Sequence, residues 1–160
     1  MTGLVFLYRI ATETRQYKAT DLSGRAAAEF PGRWNSAGER VVYAAQSRSM
    51  AVLETAAHID SAELPLNRFL IRLSVSSVVW KARKTLKTSE LDAAWRAIPA
   101  GRASEDIGSR WYQTEDSALL LVPSVIVPEE WVVLLNARHG SAKSISAVIE
   151  RAFEYNRLFR

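Results

Sequence analysis

The sequence predicts an α+β fold, built as one domain over residues 1–160. Strand-like runs and helical runs both occur along the chain, but they do not alternate strictly as they would in a doubly wound parallel sheet. A chain of 160 residues is long enough to bury one sizeable core. Its apolar share of 48% and charged share of 24% are typical of globular domains, so one domain accounts for the whole sequence.

The predicted strands are short runs rich in β-branched, leucine and aromatic side chains. The pattern is sharpest over residues 69–75, where apolar side chains occupy every second position and therefore one face of a strand. Runs of similar composition predict further strands at residues 4–10, 41–44, 78–80, 118–122, 125–127 and 131–135. Pro123 and Pro128 separate the last three runs, because proline cannot donate to a strand ladder.

Apolar periodicity and end signals predict helices at residues 26–30, 49–59, 88–98, 107–113 and 144–159. Ser47 or Ser49 can cap the second helix, and Pro31 and Pro99 stop the first and the third. The last predicted helix closes the chain. Its apolar residues recur at helical spacing: Ile145, Val148, Ile149, Ala152 and Phe153.

Composition excludes several classes of protein. The absence of cysteine excludes disulfides, thiolate catalysis and cysteine-ligated zinc, and two histidines are too few for a histidine-rich metal site. No apolar run approaches the roughly 18 residues of a membrane span, and the start lacks the basic region of a signal peptide. The formal charge of +4 permits an anionic ligand. We expect a cytoplasmic protein with no direct nucleic-acid binding and no membrane attachment.

Two charged residues are candidates for chemistry. Glu54 lies in a nearly uncharged helical segment, where an acidic side chain is usually paired or adapted to a task. Arg33 follows Gly32 in a turn, where the backbone can approach a ligand closely. Each residue also fits an ordinary position: Glu54 on a helix face one turn from His58, and Arg33 in an exposed turn.

Four segments in fixed order carry a resemblance to a known family. They are Tyr8-Arg9; GRWN at residues 32–35 with Gly38 and VVYAA at 41–45; AVLE at 51–54 with His58; and VPS at 122–124 with VP at 127–128 and LLN at 134–136. In this combination the chain resembles the RES domain, the toxin of RES/Xre-type toxin–antitoxin systems. The family usually has Asn-Pro-x-His in the last segment, whereas this chain has NARH at residues 136–139, which affects the shape of that loop.

The resemblance implies a fold similar to that of ADP-ribosyltransferases, in which a split β-sandwich flanked by helices holds NAD in a cleft. It implies an enzyme that breaks the nicotinamide–ribose bond of NAD, with NAD as the substrate and no metal or prosthetic group. It also implies a protein partner, a DNA-binding antitoxin of the Xre type that plugs the active site of the toxin.

The resemblance also implies roles for individual residues. Glu54 becomes the catalytic carboxylate, which stabilises the positive charge that develops on the ribose. Arg33 acts in catalysis and, together with Arg9, in binding NAD, because guanidinium groups suit the oxygens of a pyrophosphate. The nicotinamide end and the rest of the NAD pocket are assigned to Tyr43, Ser124 and Asn136.

The acceptor of the ADP-ribose group stays open at this point. Water would give NAD hydrolysis, inorganic phosphate would give an NAD phosphorylase, and a protein side chain would give an ADP-ribosyltransferase. Fold analogy slightly favours a target protein. Two other classes of function are a non-catalytic NAD-binding partner of a DNA-binding repressor and a toxin such as a ribonuclease, for which a pair of catalytic histidines is missing.

Overall fold

The computed structural model describes residues 3–57 and 67–155. Its strands are β1 (Leu4–Thr12), β2 (Val41–Ala45), β3 (Arg68–Ser76), β4 (Lys84–Thr85), β5 (Leu119–Pro123), β6 (Trp131–Asn136) and β7 (Ser146–Ala152). Its α-helices are α1 (Arg25–Glu29), α2 (Arg48–Ala56), α3 (Ser77–Lys81) and α4 (Arg102–Thr114). Short 3-10 turns lie at Thr88–Glu90, Ala93–Arg96 and Gly140–Ser144. Within these described ranges, no helix has the length and apolar character needed to cross a lipid bilayer.

All of these strands belong to one sheet, in the order β4-β5-β6-β2-β1-β3-β7. β1 pairs with β3 over its full length, from Leu4↔Ser76 to Thr12↔Arg68, but it pairs with β2 only at Tyr8↔Ala45. The sheet is therefore split between β1 and β2 into two halves, β4-β5-β6-β2 and β1-β3-β7. This architecture confirms the predicted α+β fold with a split β-structure.

The main core lies between the two halves of the sheet. One apolar cluster contains Leu7 and Leu73 from one half and Leu121, Val133 and Leu135 from the other, and all five are almost fully buried. Every second side chain of a strand points to the same face, so each half supplies one layer of this core. The two halves pack against each other as a small sandwich.

Two further clusters hold helices on the outer faces. α4 contributes Trp111 to a cluster with Leu134 of β6, and α2 contributes Met50 to a cluster with Leu70 of β3. Ser47 caps α2 by accepting a hydrogen bond from Met50 N at 3.1 Å. Because α2 contacts both β1 and β2, it lies across the split.

Most predicted elements are confirmed. The strands predicted at residues 4–10, 41–44, 69–75, 118–122 and 131–135 correspond to β1, β2, β3, β5 and β6, and the first two helices to α1 and α2. The helix predicted at residues 107–113 is α4, which begins earlier, at Arg102. The end of the helix predicted at residues 49–59 lies outside the described residues.

The C-terminal helix predicted at residues 144–159 is wrong over its described part. Residues 146–152 form β7, which pairs with β3. Ile145 and Phe153 are buried, whereas Val148 and Ile149 are 44% and 45% exposed, so the apolar residues do not form one helical stripe. Pairing with a distant strand overrides the local periodicity. Residues 156–159 lie outside the described chain.

Three other local predictions are wrong. Residues 78–80 lie in α3 and not in the sheet. Ser76 caps this helix, because its side chain accepts a hydrogen bond from Val79 N at 3.3 Å. Residues 125–127 form a turn around the Ser124 hydroxyl instead of a strand. Residues 88–98 form two short 3-10 turns instead of one helix, and the second turn is anchored by the buried Trp95.

Candidate active site

A cleft opens where the sheet is split. It has a volume of about 560 Å³, and residues of β1, β2, α1, α2 and the β5–β6 loop line it. The charged side chains that line it come from distant parts of the chain: Arg9, Arg33, Glu54 and Arg68. With three cations and one carboxylate among its described residues, the cleft suits a ligand of negative charge.

Glu54 projects from α2 into the cleft, where Ser124 fixes its carboxylate. Ser124 Oγ donates a hydrogen bond to Glu54 Oε1 and accepts from the backbone N–H groups of Ile126 and Val127, both at 3.1 Å. Ser124 is only 1% exposed and does not itself line the cleft. Since a serine hydroxyl has one proton to donate, this geometry makes Ser124 a positioning residue for Glu54.

Arg33 reaches the cleft from the loop between α1 and β2. Its Nη1 donates to the carbonyls of Trp95 and Ala97, at 2.9 and 2.7 Å, which ties this loop to the second 3-10 turn. A guanidinium group has five N–H donors, so the donors on Nη2 and Nε are not used by these bonds. Partial burial lowers the pKa of Arg33, and the nearby charge of Glu54 opposes that shift. The two predicted catalytic residues therefore interact electrostatically.

Arg9 lies in β1 beside the split. Its Nε is buried and has no hydrogen-bond partner within the described residues. Desolvation lowers the pKa of Arg9, and the charge of Asp21 partly offsets this effect. Buried donors in folded proteins are normally paired. The wall of the cleft therefore holds a guanidinium donor that could bind a group with acceptor oxygens.

Tyr43 lines the cleft, but its hydroxyl is bonded to the loop that carries Arg33. The hydroxyl donates to Asn35 Oδ1 at 2.7 Å and accepts from Trp34 N at 3.0 Å. A Cβ at Gly32 would lie 2.7 Å from the Tyr43 ring, so only glycine allows this close approach. Burial raises the pKa of Tyr43, and the phenol stays protonated. The side chain can offer its ring to a ligand, whereas its hydroxyl supports the loop.

Asn136 lies outside the cleft. It is fully buried at the end of β6, where Nδ2 donates to Tyr112 O at 3.0 Å and Oδ1 accepts from Arg138 N at 2.9 Å. It does not line the cleft, so the geometry does not support its predicted contact with NAD. Its amide instead links β6 to α4. His58, whose part in the site was open from the sequence, lies outside the described residues.

Tyr8 and Arg68 line the cleft, although the sequence predicts no role for either side chain. Tyr8, the single pairing partner of β2 within β1, was noted only as part of the Tyr8-Arg9 segment. Arg68 begins β3, and its Nε is buried without a partner in the described chain, like that of Arg9. No local signal separates Arg68 from Arg72 on the same strand. Only the pairing of β1 with β3 brings it to the split.

Residues 6–156 match the family model described as the RES domain. The chain belongs to the RES domain family. This RES-domain chain is 48% identical over 149 residues to the "Prs ADP-ribosylating toxin" of Sphingobium sp. (strain YBL2), a match that covers 93% of this chain and 92% of that protein. It is 37% identical over 155 residues to "Toxin Res" of Yersinia enterocolitica, with 95% and 97% covered. These relatives confirm the resemblance drawn from the sequence segments.

A solved structure shares the fold of this RES domain. It is the crystal structure of the M. tuberculosis MbcT–MbcA toxin–antitoxin complex, which matches with a TM-score of 0.67. The match covers 99% of this chain and 88% of that chain at 16% identity. At this identity the likeness establishes a common fold.

Proposed function

We propose that this RES-domain chain is the toxin of a toxin–antitoxin system, and that it cleaves the nicotinamide–ribose bond of NAD and transfers ADP-ribose to a target protein. The observation that carries the proposal is the arrangement of charge in one cleft. Glu54, held by Ser124, shares that cleft with the guanidinium groups of Arg9 and Arg33. NAD is the substrate, and we assign no metal or prosthetic group.

Glu54 supplies the negative charge at the reacting sugar. When nicotinamide leaves with the electron pair of its bond to ribose C1, positive charge develops on the ribose. A carboxylate beside that carbon stabilises the oxocarbenium-like state. The hydrogen bond from Ser124 holds the carboxylate in one orientation, so little reorganisation is needed as the charge forms.

Arg9 and Arg33 bind the anionic part of NAD. Arg9 has a buried Nε without a partner in the described chain, and phosphate oxygens would satisfy it. Arg33 keeps donors on Nη2 and Nε beyond its two bonds to backbone carbonyls. The Tyr43 ring packs against the nicotinamide end. The cleft volume of about 560 Å³ is within the range of cofactor-sized sites.

A protein side chain is the acceptor in this proposal. Its nucleophilic atom attacks ribose C1, a new bond to ADP-ribose forms, and the acceptor loses its proton to solvent or to Glu54. Support comes from the name of the Sphingobium relative, an ADP-ribosylating toxin, at 48% identity. Phe30, which is 72% exposed where it lines the cleft, offers an apolar contact to a docked protein.

An antitoxin is the second partner in the proposal. We assign it to the Xre type of DNA-binding proteins, and we place the toxin in the cytoplasm, where NAD and such a partner occur. The fold shared with the MbcT–MbcA toxin–antitoxin complex and the toxin names of the relatives support this partner. We also propose that residues 1–160 form a single RES domain.

A mass-resolved NAD assay on the purified full-length chain tests the reaction. Separate tubes contain buffer alone, inorganic phosphate, or a bacterial cell extract. We expect nicotinamide release together with a protein of the extract that gains the mass of ADP-ribose. If free ADP-ribose or its phosphate ester is the sole product, the acceptor is water or phosphate and not a protein. No nicotinamide release in any tube from folded protein would contradict an NAD-cleaving enzyme.

A further inference from the structure

Some arginine side chains in the described chain have a buried Nε that makes no hydrogen bond: Arg9, Arg68, Arg72 and Arg83. Two of these guanidinium groups have partners at another nitrogen. Arg72 lies 3.7 Å from a carboxylate oxygen of Glu150, and Arg83 donates from Nη1 to Trp80 O at 2.9 Å. Within residues 3–57 and 67–155, the guanidinium groups of Arg9 and Arg68 have no ion pair or hydrogen bond, and both line the cleft.

Among the described residues, Arg68 has no hydrogen-bond acceptor in the cleft. Glu54 is the single carboxylate among the described lining residues, and it is hydrogen-bonded to Ser124 and forms no ion pair with Arg68. The buried part of the Arg68 guanidinium group is its Nε, and a buried N–H donor without an acceptor is unfavourable. A bound ligand with more than one anionic group would satisfy both Arg68 and Arg9.

The position of Arg68 distinguishes its role from that of Arg9. Arg68 pairs with Thr12 and Arg9 pairs with Ile71, so the two arginines are offset by three positions, or about 10 Å along the strands. An odd offset places them on opposite faces of the β1–β3 pair. Leu70, which shares the face of Arg68, packs in the cluster that contains Met50 of α2. Arg68 therefore lies on the α2 side of the cleft, the side that carries Glu54.

We propose that Arg68 is a phosphate-binding residue of this cleft. It binds the phosphate attached to the nicotinamide ribose, whose positive charge Glu54 stabilises. This inference rests on the proposed function, since it takes the ligand to be a dinucleotide whose nicotinamide ribose lies at Glu54. The phosphate-binding role makes Arg68 a residue that determines selectivity for diphosphate-containing substrates.

Calorimetric titration of the full-length chain with ADP-ribose tests the role of Arg68. ADP-ribose keeps both phosphates and is not cleaved at the nicotinamide bond, so binding is measured without turnover. We expect Arg68→Gln to weaken ADP-ribose binding by about 10- to 100-fold, the effect of losing a charge-assisted hydrogen bond. Binding of AMP, which lacks the phosphate assigned to Arg68, should change less than threefold. Unchanged ADP-ribose affinity, or an equal loss for AMP, would overturn the assignment.

Arg72→Gln is the matched control, because Arg72 lies on the same strand with a buried Nε and does not line the cleft. It should bind ADP-ribose like the wild type. If Arg68→Gln does not fold, Arg68→Met decides the question. Methionine keeps a long unbranched stem but has no charge and no N–H donor, so the same loss of about 10- to 100-fold is expected. Wild-type affinity in Arg68→Met would then overturn the proposal.

The outcome for Arg68 is separable from the outcome for the proposed function. A chain that binds ADP-ribose through Arg68 but releases no nicotinamide from NAD would refute NAD cleavage and retain the phosphate site. A chain that cleaves NAD with the same KM in wild type and Arg68→Gln would retain the function and refute the role of Arg68.

Discussion

At the scale of single residues, the hydrogen bond between Ser124 and Glu54 explains how a buried serine can affect a cleft that it does not line. Residue type and sequence segment are enough to single out Ser124, Tyr43 and Glu54. They do not reveal that the Ser124 and Tyr43 hydroxyls are bonded within the protein. Those partners come from loops that are distant in sequence, so a ligand contact and a positioning contact have the same sequence signal.

Substitution of Ser124 separates these two roles. Ser124→Ala removes the donor to Glu54 and the acceptor of two backbone N–H groups. We expect kcat for nicotinamide release to fall about 10- to 100-fold, as for the loss of a hydrogen bond to a charged group. KM should stay near the wild-type value, since Ser124 does not line the cleft. A rise in KM at unchanged kcat would indicate direct ligand contact instead.

Removal of the Tyr43 hydroxyl should produce a pH-dependent change in stability. At neutral pH we expect Tyr43→Phe to lower the free energy of unfolding by about 1–3 kcal/mol, because Trp34 N loses its partner. The folded pKa of Tyr43 is raised by burial. The unfolded chain therefore ionises above about pH 10 while the folded phenol keeps its proton. The wild-type advantage should shrink above pH 10 in urea titrations. A constant advantage from pH 8 to 11 would contradict this account.

At the scale of elements, α4 holds the loop that carries Arg33. Ser104 Oγ donates to Arg33 O at 2.9 Å, and Ser36 Oγ donates to Glu105 Oε1 at 2.7 Å. Gly108 brings the helix backbone against the loop, because a Cβ at that position would collide with the carbonyl of Trp34. The position of Arg33 thus depends on a helix more than 60 residues away in sequence.

Gly108→Ala tests this close packing, because two effects of the substitution have opposite signs. Helix propensity alone predicts a gain of about 1 kcal/mol on replacing glycine by alanine. Steric overlap with Trp34 predicts a loss of about 2 kcal/mol or more. We expect a net loss in chemical denaturation. Gly101→Ala, where a Cβ would meet nothing within 4 Å, should be nearly neutral. A more stable Gly108→Ala chain would contradict the packing.

The same scale shows which elements the sequence can predict. β1, β2, β3, β5 and β6 were predictable because their apolar runs are continuous or alternate along the strand. β7 was not predictable from the sequence, because the spacing of Ile145, Val148 and Ile149 also fits a helix. Pairing with β3 makes this segment a strand. Arg68 is the corresponding case in the site, since strand pairing alone brings it to the cleft.

At the scale of the whole molecule, the cleft belongs to both halves of the split sheet. The halves share a core, but β1 and β2 pair only at Tyr8↔Ala45. Arg9 lies in one half and Tyr43 in the other, and both line the cleft. A dinucleotide bound there contacts both halves and stabilises the sandwich, by about 2.7 kcal/mol at a ligand concentration of 100 times Kd.

Hydrogen exchange should detect this link between the halves. With saturating ADP-ribose, we expect slower exchange in peptides that cover Leu4–Thr12 and in peptides that cover Val41–Ala45. Arg9→Gln should lose the effect in both, because it removes a guanidinium group from the shared wall. Protection confined to one half would mean that the ligand does not bridge the split.

The central claim is that Glu54 is the carboxylate that makes NAD cleavage possible. Its most direct test is the rate of nicotinamide release by wild type, Glu54→Gln and Glu129→Gln, where Glu129 is an exposed glutamate of the β5–β6 loop outside the cleft. We expect a loss of about 100-fold or more in the rate of Glu54→Gln, with ADP-ribose binding retained, and a wild-type rate in Glu129→Gln. Near-wild-type turnover by folded Glu54→Gln would contradict it.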